Sequence, residues 1–297
     1  MKIKKYIVLF SIFLLAVFFF SCAGFGEALQ AVAPLAQDLG VPGANLISAY
    51  AKAFEQITPE QEYYIGRAVG ANVLSTYRLQ TNIPAWTLYV NKICNALVIN
   101  SRRPEIFNGY HVAILDSDEI NAFATPGGHI FITRGLLNCS TSEDTLAAVI
   151  AHEVGHIQLE HGLKAIKNSR ITQALVLTGT TAASAAAGSY NLGEMTSVFS
   201  ESIGEIVNTM VINGYSQKQE FEADNEAMNL LALAGYEPSS LLDMLQVLQR
   251  EQSGHPGGFN KTHPTPTQRI ENARSSAGKY NVPDTRFYRN ARFSGNI

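Results

Sequence analysis

The sequence predicts an α+β fold, mainly helical, with a small β-sheet beside one central helix. Three observations carry this prediction. Residues 145–157 read Thr-Leu-Ala-Ala-Val-Ile-Ala-His-Glu-Val-Gly-His-Ile, with Leu146, Val149 and Ile150 at helical spacing. Residues 110–115 and 128–133 are short, alternating and rich in β-branched side chains, as half-buried strands are. Between and after them lie longer amphipathic stretches with helix-start signals.

Taken in order, residues 1–21 open with Lys2, Lys4 and Lys5, followed by an almost wholly apolar run and Ser21-Cys22-Ala23-Gly24. This is the pattern of a bacterial export signal ending in a lipobox-like site, with Cys22 as the lipidated first residue of the mature chain. Residues 22–57 are Ala-rich and broken by Pro, and are expected to form a tether and helix. Residues 58–77, with Pro59 at a first-turn position, and 85–99 are expected as helices. The Pro126-Gly127-Gly128 turn suits a tight entry to the second strand, and His111 and His129, at strand starts, are expected to be structural. Ser140 with Glu143 three residues later supplies a capping box for the central helix. Residues 172–190, rich in Ala, Thr, Ser and Gly, are expected as a helix and mobile loop over a cleft. Residues 215–230 and 239–252 are expected as helices, and 254–266 as a loop rich in helix breakers. Residues 58–275 thus make one domain, and 276–297 a surface tail.

His152-Glu153-Val154-Gly155-His156 lies on the central helix. Residues four apart share one face, one turn apart, so two imidazoles can grip one metal ion while Glu153 reaches a water bound to it. Zn2+ suits neutral imidazole, and a carboxylate beside it can move the proton of the acidified water. The metzincin extension is excluded, because its Gly and His positions hold Leu159 and Gly162. His161 is nine residues after His152, about 180° around a continuous helix, and is expected to face away from the metal as a surface or deeper-layer residue.

A carboxylate from residues 215–230 can complete the site. Glu220 and Asp224 share a face, whereas Glu222 is about 200° from Glu220. The expected arrangement has Glu220 on zinc and Asp224 accepting the outer ring N–H of a ligand His, with Glu222 pointing elsewhere and of little consequence.

With both segments in hand, the chain resembles the gluzincin metallopeptidase family that includes HtpX and the CAAX prenyl proteases, and is similar above all to its periplasmic members of the BepA and LoiP type. The matching stretches are residues 58–66, 121–128, 129–133, 134–137, 152–156 and 220–224, then His263-Pro264 and Arg269-Ile270. The resemblance implies a zincin-like domain and a zinc endopeptidase, with one Zn2+ per chain held by His152, His156 and Glu220 and with Glu153 as general base. It implies that His263 approaches zinc as a gate or steadies the transition state, and that Arg269 faces the cleft. Substrate would lie extended against an edge strand, for which residues 128–133 are the candidate. Other implied features are absent: no later run of about 18 apolar residues spans a membrane, and only about 20 residues follow the Arg269 helix, where BepA carries helical repeats. The expected partners are protein or peptide substrates, the membrane through a lipid on Cys22, and outer-membrane assembly machinery.

Losing residues 1–21 with their three Lys takes the formal charge from −3 to −6, and no basic patch invites nucleic acid. The address is the periplasm, lipid-anchored, with the outer membrane favoured because no Asp follows Cys22. Cys94 and Cys139 would meet an oxidising compartment, where they either pair or serve as core. The rival to an enzyme is a non-catalytic lipoprotein scaffold on the same fold, but every position the chemistry needs is filled.

Overall fold

A computed structural model describes residues 22–38, 56–167, 204, 207, 214–251, 258–263 and 266–296. Residues 1–21, expected as an export leader, the 172–190 segment and part of the 254–266 loop lie outside these residues. The chain forms two compact units, residues 1–57 with 165–202, and residues 58–164 with 203–297. The first contains helix α1 (Cys22–Asp38), which has Pro34 in its interior and buries Ala33 and Ala36. No helix among the described residues is long and apolar enough to cross a membrane.

In the second unit, α2 (Pro59–Thr76) starts at Thr58, whose hydroxyl accepts from Gln61 N while the Gln61 side chain accepts from Thr58 N. Helix α3 (Pro84–Val98) follows, then strands β1 (His111–Leu115), β2 (Ala122–Ala124) and β3 (His129–Thr133), with a 3-10 turn Pro126–Gly128 before β3. Strand β2 escaped the sequence reading because three residues are too few to show a period. The sheet order is β1-β3-β2, with β1 parallel and β2 antiparallel to β3. Residues 128–133 therefore cannot be the substrate-pairing edge: β3 is the middle strand, with both hydrogen-bonding sides used. The edge against the motif helix is β2.

Alternation along the strands divides the sheet. Val112, Ile114, Ala122, Ala124, Ile130 and Ile132 join the main core, whereas Leu115, Phe123 and Phe131 pack on Val73 of α2. Helix α4 (Arg134–Cys139) leads to α5 (Glu143–Gln158), which carries the motif. The cap of α5 is Ser142 with Thr145, not Ser140 with Glu143; Ser140 instead ends α4. The shift frees Glu143 and Asp144 for other partners. All of α5 is buried, as expected for the central helix of an all-round core.

Helix α6 (Gln217–Leu233) packs along α5, and Gly155 makes that approach possible: a Cβ there would stand 3.0 Å from Ala223 O. Likewise, a Cβ at Gly66 would fall 1.7 Å from Pro126 O, so α2 can lie on the 3-10 turn only with glycine at that position. Helices α7 (Ser240–Glu251), α8 (Phe259–Thr262), α9 (Pro266–Ala277) and α10 (Arg286–Asn296) close the other side. The segment expected as a surface tail thus forms α10, which docks on α5. Arg289 Nε donates to Asp144 (2.9 Å) and Arg292 Nε to Glu143 (3.1 Å), which also accepts from Tyr89 and Tyr236 hydroxyls. Cys94 is a buried free thiol, and Cys139 is free as well.

Candidate metal centre

Helix α5 presents His152 and His156 from successive turns, α6 presents Glu220, and the end of α8 presents His263. One ligand atom from each lies within 4.8 Å of all the others. His152 Nε2 is 3.1 Å from His156 Nε2 and 3.2 Å from His263 Nδ1, and His263 Nδ1 is 3.2 Å from Glu220 Oε1. Glu220 oxygens stand 3.5 Å from both His152 Nε2 and His156 Nε2. All four residues are buried.

Hydrogen bonds on the outer sides of the rings fix what the inner sides offer. His152 Nδ1 lies 2.9 Å from Asp224 Oδ1 and 3.3 Å from Arg269 Nη2, and with its proton directed at the carboxylate the ring would offer Nε2 as an acceptor. His156 Nδ1 meets His161 Nδ1 at 2.9 Å, and where His156 is the donor its Nε2 carries no proton. With both rings neutral and protonated at Nδ1, two imidazole lone pairs and a carboxylate point at one place, a donor set that suits Zn2+. Burial and the Arg269 charge oppose protonation of His152, but the Asp224 and Glu220 carboxylates, which accept from the ring, outweigh them and raise it to about 9, so a metal ion has to displace the Nε2 proton. His156 is held well below its ordinary value by burial. The Glu220 carboxyl, which burial alone would raise, is kept well below the usual range by the His263 and Arg269 charges.

Glu153 sits on the same helix with both carboxylate oxygens buried and without a hydrogen-bond partner among the described residues. Burial raises its pKa. His263 Nε2 lies 3.4 Å from Glu153 Oε1 without hydrogen-bond alignment. A buried carboxylate with no bonded partner, beside a cluster of metal-ligating atoms, fits the neighbour of a metal-activated water.

Arg269 does not face the cleft. It is 1% exposed and lies behind the ligands, bonding Asp224 through Nε (2.8 Å) and Nη2 (2.6 Å), with Nη1 3.0 Å from Glu220 Oε2. A buried guanidinium between two buried carboxylates offsets their desolvation. The structure also departs from the helical-phase argument at His161. Helix α5 stops at Gln158, Leu159 caps it, and Glu160 turns left-handed at φ 57°, so His161 folds back under His156 instead of continuing around the cylinder. It is fully buried, and burial pulls its pKa down to about 4. Its Nε2 lies 3.2 Å from Glu222 Oε2, giving Glu222 a place in the assembly that its helical phase did not suggest.

Tyr215, just before α6, stacks on His156 at 4.1 Å and 17° between planes, a contact no sequence signal marked. The α8 segment is tied to the residues that lead into the edge strand: Phe259 N donates to Ile120 O (2.8 Å), and the Thr262 hydroxyl donates to Asn121 Oδ1 (3.1 Å), which also accepts from Ala122 N (2.9 Å). His111 and His129 lie outside the cluster, beside Tyr63 and Asn108.

The sequence matches the peptidase family M48 over residues 84–277. Over 227 residues it is 29% identical to the beta-barrel assembly-enhancing protease of Escherichia coli (strain K12), covering 73% of this chain and 43% of that protein. It is 27% identical over 223 residues to the mitochondrial metalloendopeptidase OMA1 of Schizosaccharomyces pombe, covering 74% and 62%. With the metalloprotease LoiP of Escherichia coli (strain K12) it shares 31% identity over 156 residues, covering 52% and 58%. The chain thus spans less than two thirds of the length of each of these relatives. It belongs to peptidase family M48.

Proposed function

We propose that this M48-family chain is a zinc-dependent endopeptidase of the bacterial cell envelope that cuts misfolded or misassembled periplasmic and outer-membrane proteins. The observation that carries the reading is the meeting of His152, His156 and Glu220 around one point with the unbonded Glu153 carboxylate beside it. When bound there, zinc would polarise the scissile carbonyl and acidify water. Glu153 takes the proton from the attacking water and passes it to the leaving nitrogen, a task its burial-raised pKa suits. Asp224 holds His152 in the tautomer that leaves Nε2 free, and Arg269 holds Asp224 and Glu220.

His263 stands where a fourth ligand or a substrate group would come, 3.2 Å from both His152 and Glu220. In this arrangement the enzyme is latent, and Thr262 bonded to Asn121 is its latch. Opening requires α8 to leave the β2 edge, which then pairs with an extended substrate main chain. The envelope address rests on the leader, on Cys22 as lipid attachment, and on the relatives' names; one of those relatives enhances beta-barrel assembly, which makes the outer-membrane assembly machinery the partner to examine.

The test is cleavage of an unfolded reporter protein with and without chelator. Wild-type protein should cut only with metal, and Glu153→Gln should keep one zinc per chain and lose nearly all turnover. Full activity in that variant sinks the mechanism.

A further inference from the structure

We infer that His161 and Glu222 form a relay that positions His156 as a metal ligand. The inference rests on the metal-centre reading above. One assignment of protons satisfies every atom in the chain: His156 Nδ1–H donates to His161 Nδ1 at 2.9 Å, and His161 Nε2–H donates to Glu222 Oε2 at 3.2 Å. The Nε2 lone pair of His156 then points at the centre, where Glu220 Oε1 is 3.5 Å away. One further contact completes the control of this ring. Tyr215 stacked on its face fixes the plane, and the bond to His161 fixes rotation within that plane. His161 is itself held by the left-handed turn at Glu160 and by Gly162, where a Cβ would meet the Pro126 ring at 3.0 Å.

An imidazole between ligand and carboxylate has an electrostatic reason. Glu153, Glu220 and Asp224 are already buried, with Arg269 lying against Asp224 and Glu220. A fourth carboxylate directly on His156 would add another buried negative charge, which is costly unless paired. The imidazole passes on the orienting bond while leaving the charge on Glu222, whose side chain is 39% exposed.

The test measures zinc affinity by chelator competition, with kcat and KM on a peptide substrate and the melting temperature of the metal-free protein. His161→Phe, which keeps the ring but loses the acceptor, should weaken zinc binding by about 10- to 100-fold and lower kcat with KM little changed. His161→Gln should restore most of the affinity, since its amide accepts from His156 and donates to Glu222. Glu222→Ala should weaken binding less, and should add nothing in the His161→Phe background. Zinc affinity at the wild-type level in His161→Phe overturns the relay, as does equal weakness of the Phe and Gln variants, which would mark His161 as packing alone. If His161→Phe does not fold, Glu222→Ala and His161→Gln carry the same comparison. Wild-type protein that binds no zinc would instead overturn the metal-centre reading, so the two failures are told apart.

Discussion

His152 and His156 come from one helix, a turn apart, yet their outer nitrogens meet opposite surroundings. His152 meets a sealed arm, Asp224 at 0% exposure with Arg269 at 1% behind it. His156 meets a neutral imidazole and then a carboxylate at the rim, beside Lys218 at 3.8 Å. The first arm is strong because its charges are dry and compensated, and for the same reason it cannot lose one member without stranding another. The second carries little buried charge, so damage to it should be graded.

The sharpest break of that contrast is Arg269→Ala, which leaves Asp224 and Glu220 buried without their cation and should cost about 3–5 kcal/mol of stability. Urea denaturation of the metal-free protein measures it; a loss below about 1 kcal/mol would place the arm among exposed ion pairs. Next comes Asp224→Asn, which retains a hydrogen-bond acceptor for His152 but removes the charge. It should lower zinc affinity by about 10- to 100-fold in chelator competition. Glu222→Ala should change affinity by about fivefold or less, and high salt should shrink the difference, because that carboxylate is in reach of solvent.

The smallest expected effect is a pH slope. His161 has its folded pKa lowered to about 4, so between the ordinary value near 6.5 and 4 the unfolded chain binds the extra proton. Its contribution is present above about 6.5 and is lost as pH falls towards 4. Melting of the metal-free protein across that window should be less pH-dependent in His161→Gln, with the remaining slope left to groups such as His156.

The motif helix, the Glu220 helix and the placing of Glu220 and Asp224, rather than Glu222, toward His152 were legible because both helices are regular across those residues, so 100° per residue holds. The same rule misplaced His161, since it assumed a helix that in fact ends at Gln158. A left-handed Glu160 carries no strong sequence signal, because glycine or asparagine ordinarily marks such a position. Arg269 was foreseen near the centre, but its direction depends on where α9 packs, a tertiary fact. The capping error at Ser140 has a similar origin: two Ser residues two apart offer competing starts, and the preceding α4 consumes the first. For β2, pairing between strands rather than its own three residues makes it a strand.

Helix α10 gives the molecule an order of assembly. The Arg289–Asp144 bond joins residues 145 positions apart, so a chain emerging from its amino end presents the motif helix long before the residues that grip its first turn arrive. Until then Glu143 has only the Tyr89 and Tyr236 hydroxyls and Asp144 the Glu237 amide, so two charges at the head of the motif helix lack the cations of α10. The docking of α10 on the motif helix is therefore a late step of folding, and a chain cut off before residue 286 should reach protease-resistant form slowly, if at all, even though His152, His156, Glu220 and His263 are all present in it.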